Sequence, residues 1–312
     1  MTAVPTRPVP TRPVPTRPVR AASLLALLAL LVPAAARAQD RTVRRALPLA
    51  ADGSVRVFLL GGDVRLVGGA GDSVVVVATV PAGQELHMGG GPRGVKLGVW
   101  DEGATGTVRP SRLELRVPRR SRVWVKVGQT AEVDASGLAG GLDVSIVAGH
   151  VRVRGAPREL NVEAMDGSIE VDGAPPWLRA KTASGAITLT GGGEDVAASS
   201  VSGAIRLAGG RVTRGRFESV TGDVRFDGAV DPAGALTFDT HSGTTELRLP
   251  GDAAAEIEVA TILGTIENAI TAARPVAGRD ARGRALSLAV GEPPAAAITV
   301  RSFKGRVLLR HR

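Results

Sequence analysis

Side chains able to do chemistry are few in this chain and widely spaced. A zinc-type centre needs Cys/His clusters at defined spacing. The sequence has no cysteine and four scattered histidines, His87, His150, His241 and His311. No metal site is expected, and His150 and His241 read as exposed turn residues. Gly89-Gly90-Gly91-Pro92-Arg93-Gly94 has the form G-x-G-x-x-G. A dinucleotide requires that loop between a strand and a helix, with the pyrophosphate at the helix N-terminus. Here Val95-Lys96-Leu97 continues as a strand and Pro92 interrupts the loop, so no cofactor is assigned. The nucleophile-elbow, Walker and H-E-x-x-H patterns do not occur.

Two charged columns and one aromatic feature stand out once the repeat described below is laid over the sequence. Glu218 and Asp239 each stand four residues before a repeat glycine. In stacked coils they would lie about 5 Å apart, a separation that retaining glycosidases use. A glycosidase also needs a cleft and a raised pKa, so the pair reads as solvated surface acid beside Arg216 and Arg225. Arg206 and Arg225 would likewise stack in adjacent coils, with Arg214 and Arg216 between them in sequence. An acidic polymer or phosphate could relieve their repulsion through bidentate contacts, which makes Arg206, Arg225 and Arg216 the candidate anion-binding residues. No catalytic residue is assigned. Trp100, Trp124 and Trp177 are the only tryptophans. Exposed aromatics would suit a sugar platform, but packing over a coil edge is the expected role of Trp177.

The elements that position these residues come from a repeat. Gly149, Gly167, Gly185, Gly203, Gly222, Gly243 and Gly264 recur at spacings of 18, 18, 18, 19, 21 and 21, with Gly62 and Gly305 as outlying copies. Two and four residues after each glycine stand mostly apolar residues, such as Ile169 and Val171, Ile187 and Leu189, or Ile205 and Leu207. Polar residues fall between them, the period-2 alternation of a half-buried strand. Seven and five residues before the glycine the same alternation appears, as in Leu160 and Val162. Three before it stands a small or hydroxylic residue, from Ala164 and Thr182 to Ser302. A strand thus enters and leaves each glycine turn, where glycine would tolerate a positive φ. Sustained periods near 20 residues mark solenoids. The fold class read from the sequence is therefore all-β, a single-stranded β-helix or solenoid with coils of about 18–21 residues. A hairpin sandwich has no reason to keep like residues in like columns. Successive units are expected to stack in order.

The organisation follows. Residues 1–38 read as a Pro-rich lead and a signal peptide: Arg20, the apolar run 21–32, then Ala36-Arg37-Ala38 before Gln39. That run is shorter than the roughly 20 apolar residues of a membrane span, so no stable span is expected after cleavage. Residues 39–130 read as an N-terminal β region that caps the solenoid. Residues 131–312 read as solenoid repeats with an insertion at 269–297, where Leu286 to Val290 suggest an extra strand. Removing residues 1–38 takes away five arginines and no acid, lowering the formal charge from +9 to +4. Nucleic acid is therefore not an expected partner.

The string of S-G-A-I-T-L-like units from Gly149 to Gly264, and the lead-in Leu113-Glu114-Leu115-Arg116-Val117-Pro118, resemble the adhesin-like β-strand-repeat family of bacterial envelope proteins. The resemblance covers residues 41–312. It implies a right-handed β-helix and a cell-envelope or surface setting, and it carries no active-site residues. The sequence thus points to a non-enzymatic exported protein, periplasmic, cell-surface or extracellular. It would act as a rigid adhesin-like scaffold or binding module for an acidic envelope polymer or another envelope protein. An accessory in envelope-stress sensing and a polysaccharide-active β-helix enzyme are the alternatives.

Overall fold

The computed structural model describes residues 40–100, 109–278 and 282–312. The proposed signal segment 1–38 lies outside them. Two long parallel ladders make up the described chain, joined at every repeat by the glycine turn. The lead-in ladder carries the strand entering each turn, for example Leu160↔Leu178 and Val162↔Ala180. The exit ladder carries the strand leaving it, for example Ile169↔Ile187 and Ile187↔Ile205. Those three isoleucines are at most 1% exposed and lie in one shared interior. The chain is a β-solenoid, as the period predicted.

Burial alternates along most strands, as in Ser73–Val80 and Ala255–Thr261. The inward columns of Val, Ile and Leu merge into one core. Burying apolar area is worth about 25 cal/mol per Å². In-register parallel stacking adds a backbone hydrogen bond for each group that the interior removes from water. In the middle of the stack the column varies in size. Gly215 stands where other coils carry Leu or Val, and Phe217, Phe226 and Phe238 fill the space as an aromatic cluster with centroids 5.0–5.9 Å apart. A Cβ at Gly215 would press on Leu236 and Phe217.

Coil order departs from the expectation of simple succession at both ends. From one end the coils run 94–100 with 111–118, then 54–69, 122–136, 141–154, 159–173, 177–191, 193–208, 214–227, 235–249, 296–311 and 255–268. The C-terminal copy inserts between its two predecessors, and the first copy is enclosed by two later ones. The physical reason lies in the edges. An outermost parallel strand leaves a row of unpaired N–H and C=O groups. Each terminal coil here comes from inside the sequence, so the chain can fold a flanking strand back over it. Glu85–Gly91 pairs antiparallel with Gly94–Trp100, and Ser73–Val80 with Ser111–Pro118. Arg284–Val290 covers Ala255–Thr261 in the same way. The outermost N-terminal strand, Arg41–Pro48, is largely exposed and carries Arg41, Arg44 and Arg45, charges that discourage further pairing. On the exit side the ladder stops at Asn268, which replaces the usual apolar residue. Its amide binds the carbonyls of Thr271 and Ala273, and its Oδ1 accepts from Ile270 N and Thr271 N.

The turns also work differently from the expectation. Gly149 and Gly243 have positive φ, at 111° and 88°, but Gly167, Gly185, Gly203 and Gly222 do not. Close approach is what excludes a side chain there. A Cβ at Gly185, Gly203 or Gly222 would collide with the carbonyl of Gly167, Gly185 or Gly203 in the coil beneath. The hydroxyl column closes the same turns from inside. Thr182 Oγ1 accepts from Gly185 N at 3.1 Å, Ser200 Oγ from Gly203 N at 2.8 Å and Ser302 Oγ from Gly305 N at 3.0 Å.

Candidate functional site

The charged columns sit in the predicted register. Arg206 pairs with Arg225, and Glu218 with Asp239. Arg216, however, lies on the lead-in ladder and not with the other two arginines, which belong to the exit ladder. It is engaged by Glu218 at 2.5 Å, whose hydrogen bond raises the Arg216 pKa further. Arg225 lies 3.8 Å from both Asp227 and Glu246, and Asp239 lies 3.9 Å from Arg301. Around them the exit ladder alternates in sign across coils, as in Glu114–Arg65–Asp134–Arg152–Glu170. The Arg206–Arg225 step is a like-charge interruption of that pattern.

His150 differs from the expected exposed turn residue. It is half-buried on the exit ladder, with Nδ1 2.6 Å from Ser168 Oγ and Nε2 3.4 Å from Glu170. The contact is cross-strand stacking of neighbours in register. Glu170 is doubly hydrogen-bonded by Arg152, at 3.0 and 2.7 Å. That partner holds it below the ordinary carboxylate value of 4.5. Gly89–Gly94 forms a β-hairpin, Gly91 opposite Gly94, so the loop has no helix to present to a phosphate.

Tryptophan gives the most developed site. Trp177, expected to pack over the coil edge, is 38% exposed. It opens the strand Trp177–Thr182 immediately after Pro175-Pro176, in register with Glu159 on one side and Asp195 on the other. Trp124 is half-buried on the same outer face, two positions further along the strand and three coils away. Three coil steps amount to about 14 Å at the usual strand spacing. Between the two indoles lies a cleft of about 330 Å³, lined by Arg122, Asp143, Glu159 and Asn161 over Gly141 and Leu142. Gly141 supplies the floor because its column position carries no side chain. On the other side of Trp177 a second cleft of about 450 Å³ is lined by Arg158, Glu159, Pro176, Glu194, Asp195 and Arg214.

Ion pairs hold the site in shape. Arg122 reaches across Gly141 to Glu159, and Asn161 Nδ2 donates to Asp143 at 2.9 Å. Arg179 lies 4.5 Å above the Trp177 ring and donates to Asp195 at 2.7 Å, while Arg214 approaches the same carboxylate at 3.3 Å. Burial works to raise the Asp195 pKa, yet the hydrogen bonds from Arg179 and Arg214 win and hold it below its ordinary 3.8. The indole is thus braced on one face by a fixed cation, and no ordering of its neighbours is needed when a ligand arrives. The signal for this site was in the sequence: Trp124, Gly141, Glu159 and Trp177 occupy adjoining outward columns. It is visible only when residues are placed by column and not by motif.

One further surface was missed. Two residues before the turn glycine, outside both ladders, stand Leu60, Val147, Met165, Val201, Val220, Ile262 and Phe303, between 39% and 66% exposed. His241 continues the row and stacks on Phe303, with centroids 4.8 Å apart.

The described residues define an all-β class of protein, a repeat-built parallel β-solenoid. The chain belongs to the Toastrack DUF4097 family, whose model matches residues 107–274. No curated protein matches the sequence. Among solved structures it is similar to a "putative adhesin" from Bacteroides fragilis, with 10% identity, 87% of this chain and 97% of that chain covered and a TM-score of 0.40. It is also similar to a "putative adhesin" from Parabacteroides distasonis (11% identity, 88% and 98% covered, TM-score 0.38). A third is a "putative cell adhesion protein" from Clostridium sporogenes (11% identity, 88% and 100% covered, TM-score 0.27). Among the described residues, no helix is long and apolar enough to cross a membrane.

Proposed function

We propose that this protein is an exported, non-enzymatic component of the cell envelope or surface, a rigid adhesin-like module that offers the Trp124–Trp177 face to a ligand. The observation that carries the reading is the braced tryptophan: an indole left 38% exposed while Arg179, Asp195 and Arg214 fix its surroundings. Large exposed aromatics on an immobile support are what recognition surfaces are built from. The apolar run 21–32 and Ala36-Arg37-Ala38 support export. The test has two parts. Cell fractionation with N-terminal sequencing should recover the protein outside the cytoplasm with Gln39 first. The purified mature protein should also sediment with isolated envelope fractions. A cytoplasmic, uncleaved product, or no envelope retention, removes the reading.

An acidic polymer bound at Arg206 and Arg225, with Arg216 on the neighbouring ladder, is a second reading. The like-charge step, which follows the alternating run from Glu114 to Glu170 on the same ladder, favours it. Its mark would be envelope binding that falls steeply with salt and is lost in Arg206→Glu with Arg225→Glu.

A further inference from the structure

The two clefts share Trp177 and Glu159 in their lining, so they follow one another across the coils. A single small molecule would fill one of them. A chain-like ligand laid along the stacking axis would fill both and pass over Trp177 and Trp124, the latter with Arg56 and Arg122 at 5.5 and 5.7 Å from its ring centre.

The charges say which kind of chain. The lining of the two clefts, with the arginines stacked on the two indoles, contains Arg56, Arg122, Arg158, Arg179 and Arg214 against Asp143, Glu159, Glu194 and Asp195. Five cations and four carboxylates come close to cancelling. Most are also committed to one another: Arg122 and Arg158 to Glu159, Arg179 and Arg214 to Asp195. An ionic ligand would have to break these pairs and leave a partner uncompensated, which costs more than a surface pair contributes. A neutral ligand need break none. It would meet carboxylate oxygens with lone pairs to spare, guanidinium and amide N–H groups at the rim, and flat apolar indole. That combination, donors and acceptors beside an aromatic plane with little net charge, matches a ring that is hydroxylated at its edge and C–H-lined on its face.

We propose that the Trp124–Trp177 track binds a neutral, hydroxyl-rich polysaccharide, with pyranose rings packed on the two indoles and their hydroxyls hydrogen-bonded to Asp143, Asn161 and Glu159. The proposal rests on the adhesin-like reading and names the ligand class for its site.

The experiment uses the mature protein and a panel of neutral hexasaccharides: cellohexaose, laminarihexaose, maltohexaose and chitohexaose. An alginate hexamer serves as the acidic comparison. Binding is followed by calorimetry and by tryptophan fluorescence at low and high salt. At least one neutral hexamer should bind with an affinity that salt changes by less than about twofold, as expected without net ionic contacts. Trp177→Ala should weaken it by at least about tenfold, the loss of an aromatic anchor. Trp177→Phe should restore part of that loss, and Trp100→Ala should leave affinity unchanged. Circular dichroism melts confirm that each variant folds, and Trp124→Ala provides an independent arm. No binding by any neutral hexamer, equal binding by Trp177→Ala and Trp124→Ala, or salt-sensitive binding of alginate alone would overturn the proposal. If those results come with wild-type envelope retention intact, only the glycan assignment falls. If envelope retention is absent while a neutral hexamer binds at Trp177, the assignment stands and the adhesive reading falls.

Discussion

Asp195 is the residue on which the braced face turns. It accepts from Arg179 and Arg214, and Arg179 in turn fixes Trp177. Its pKa is depressed in the folded chain, so the native state gains from its ionisation above the unfolded value near 3.8. That gain is lost as pH falls through the lower folded value. Glu170, held down by Arg152, follows the same sign. Melting temperature should therefore be insensitive to these groups at neutral pH and decline in the acid range below about pH 4. Asp195→Asn should flatten part of that decline while lowering stability at pH 7. An acid limb that is identical in the variant would show that Asp195 is not held by its two arginines. The same residue explains why the site was hard to read from sequence. Asp195 lies 16 and 19 positions from its partners, and only the stacking register turns those separations into contact.

At the level of the repeat unit, the turn glycines and the hydroxyls three residues earlier form two columns that lock one coil on the next. The glycine carbonyls occupy the space where a Cβ would lie, and the hydroxyls satisfy turn N–H groups from the inside. Gly203→Ala should cost about 1–3 kcal/mol, as overpacking in a tightly filled interior does. Gly251→Ala, where the added carbon meets open space, should be nearly neutral. Urea melts distinguish the two, and equal effects would remove the close-approach explanation. Most of this unit was legible in advance. Periodicity gave the strands, the inward columns and the neighbours of Ile187, because each column keeps one residue class over many coils. The reason for the glycine was not legible, because φ and inter-coil distance leave the same mark in a sequence. The exposed row from Val147 to Phe303 was also passed over, since apolar residues beside a turn look like core until their side chains are seen outside both ladders.

For the molecule as a whole, sequence order and spatial order agree through the middle and part at the ends. The repeat period carries no information about which coil neighbours which once a loop is long enough to cross back, and 269–295 is such a loop. Its strand Arg284–Val290 covers coil 255–268, and the chain then returns to place 296–311 inside it. Leu309, three residues from the last, is fully buried between coils 235–249 and 255–268. Chain ends ordinarily fray. Leu309→Ala should instead cost about 2–5 kcal/mol, the range for an enclosed core leucine, measured by equilibrium denaturation. A cost below about 1 kcal/mol would place the final coil on the outside.

Interleaving also sets a timetable. A chain emerging N-terminus first from a ribosome or an export channel makes residues 255–268 before residues 296–311, yet the later segment occupies the inner berth. The earlier segment cannot take its final place until residues 296–311 have been delivered. Assembly can advance rung by rung only as far as residue 249, and the next rung must wait for residues 296–311.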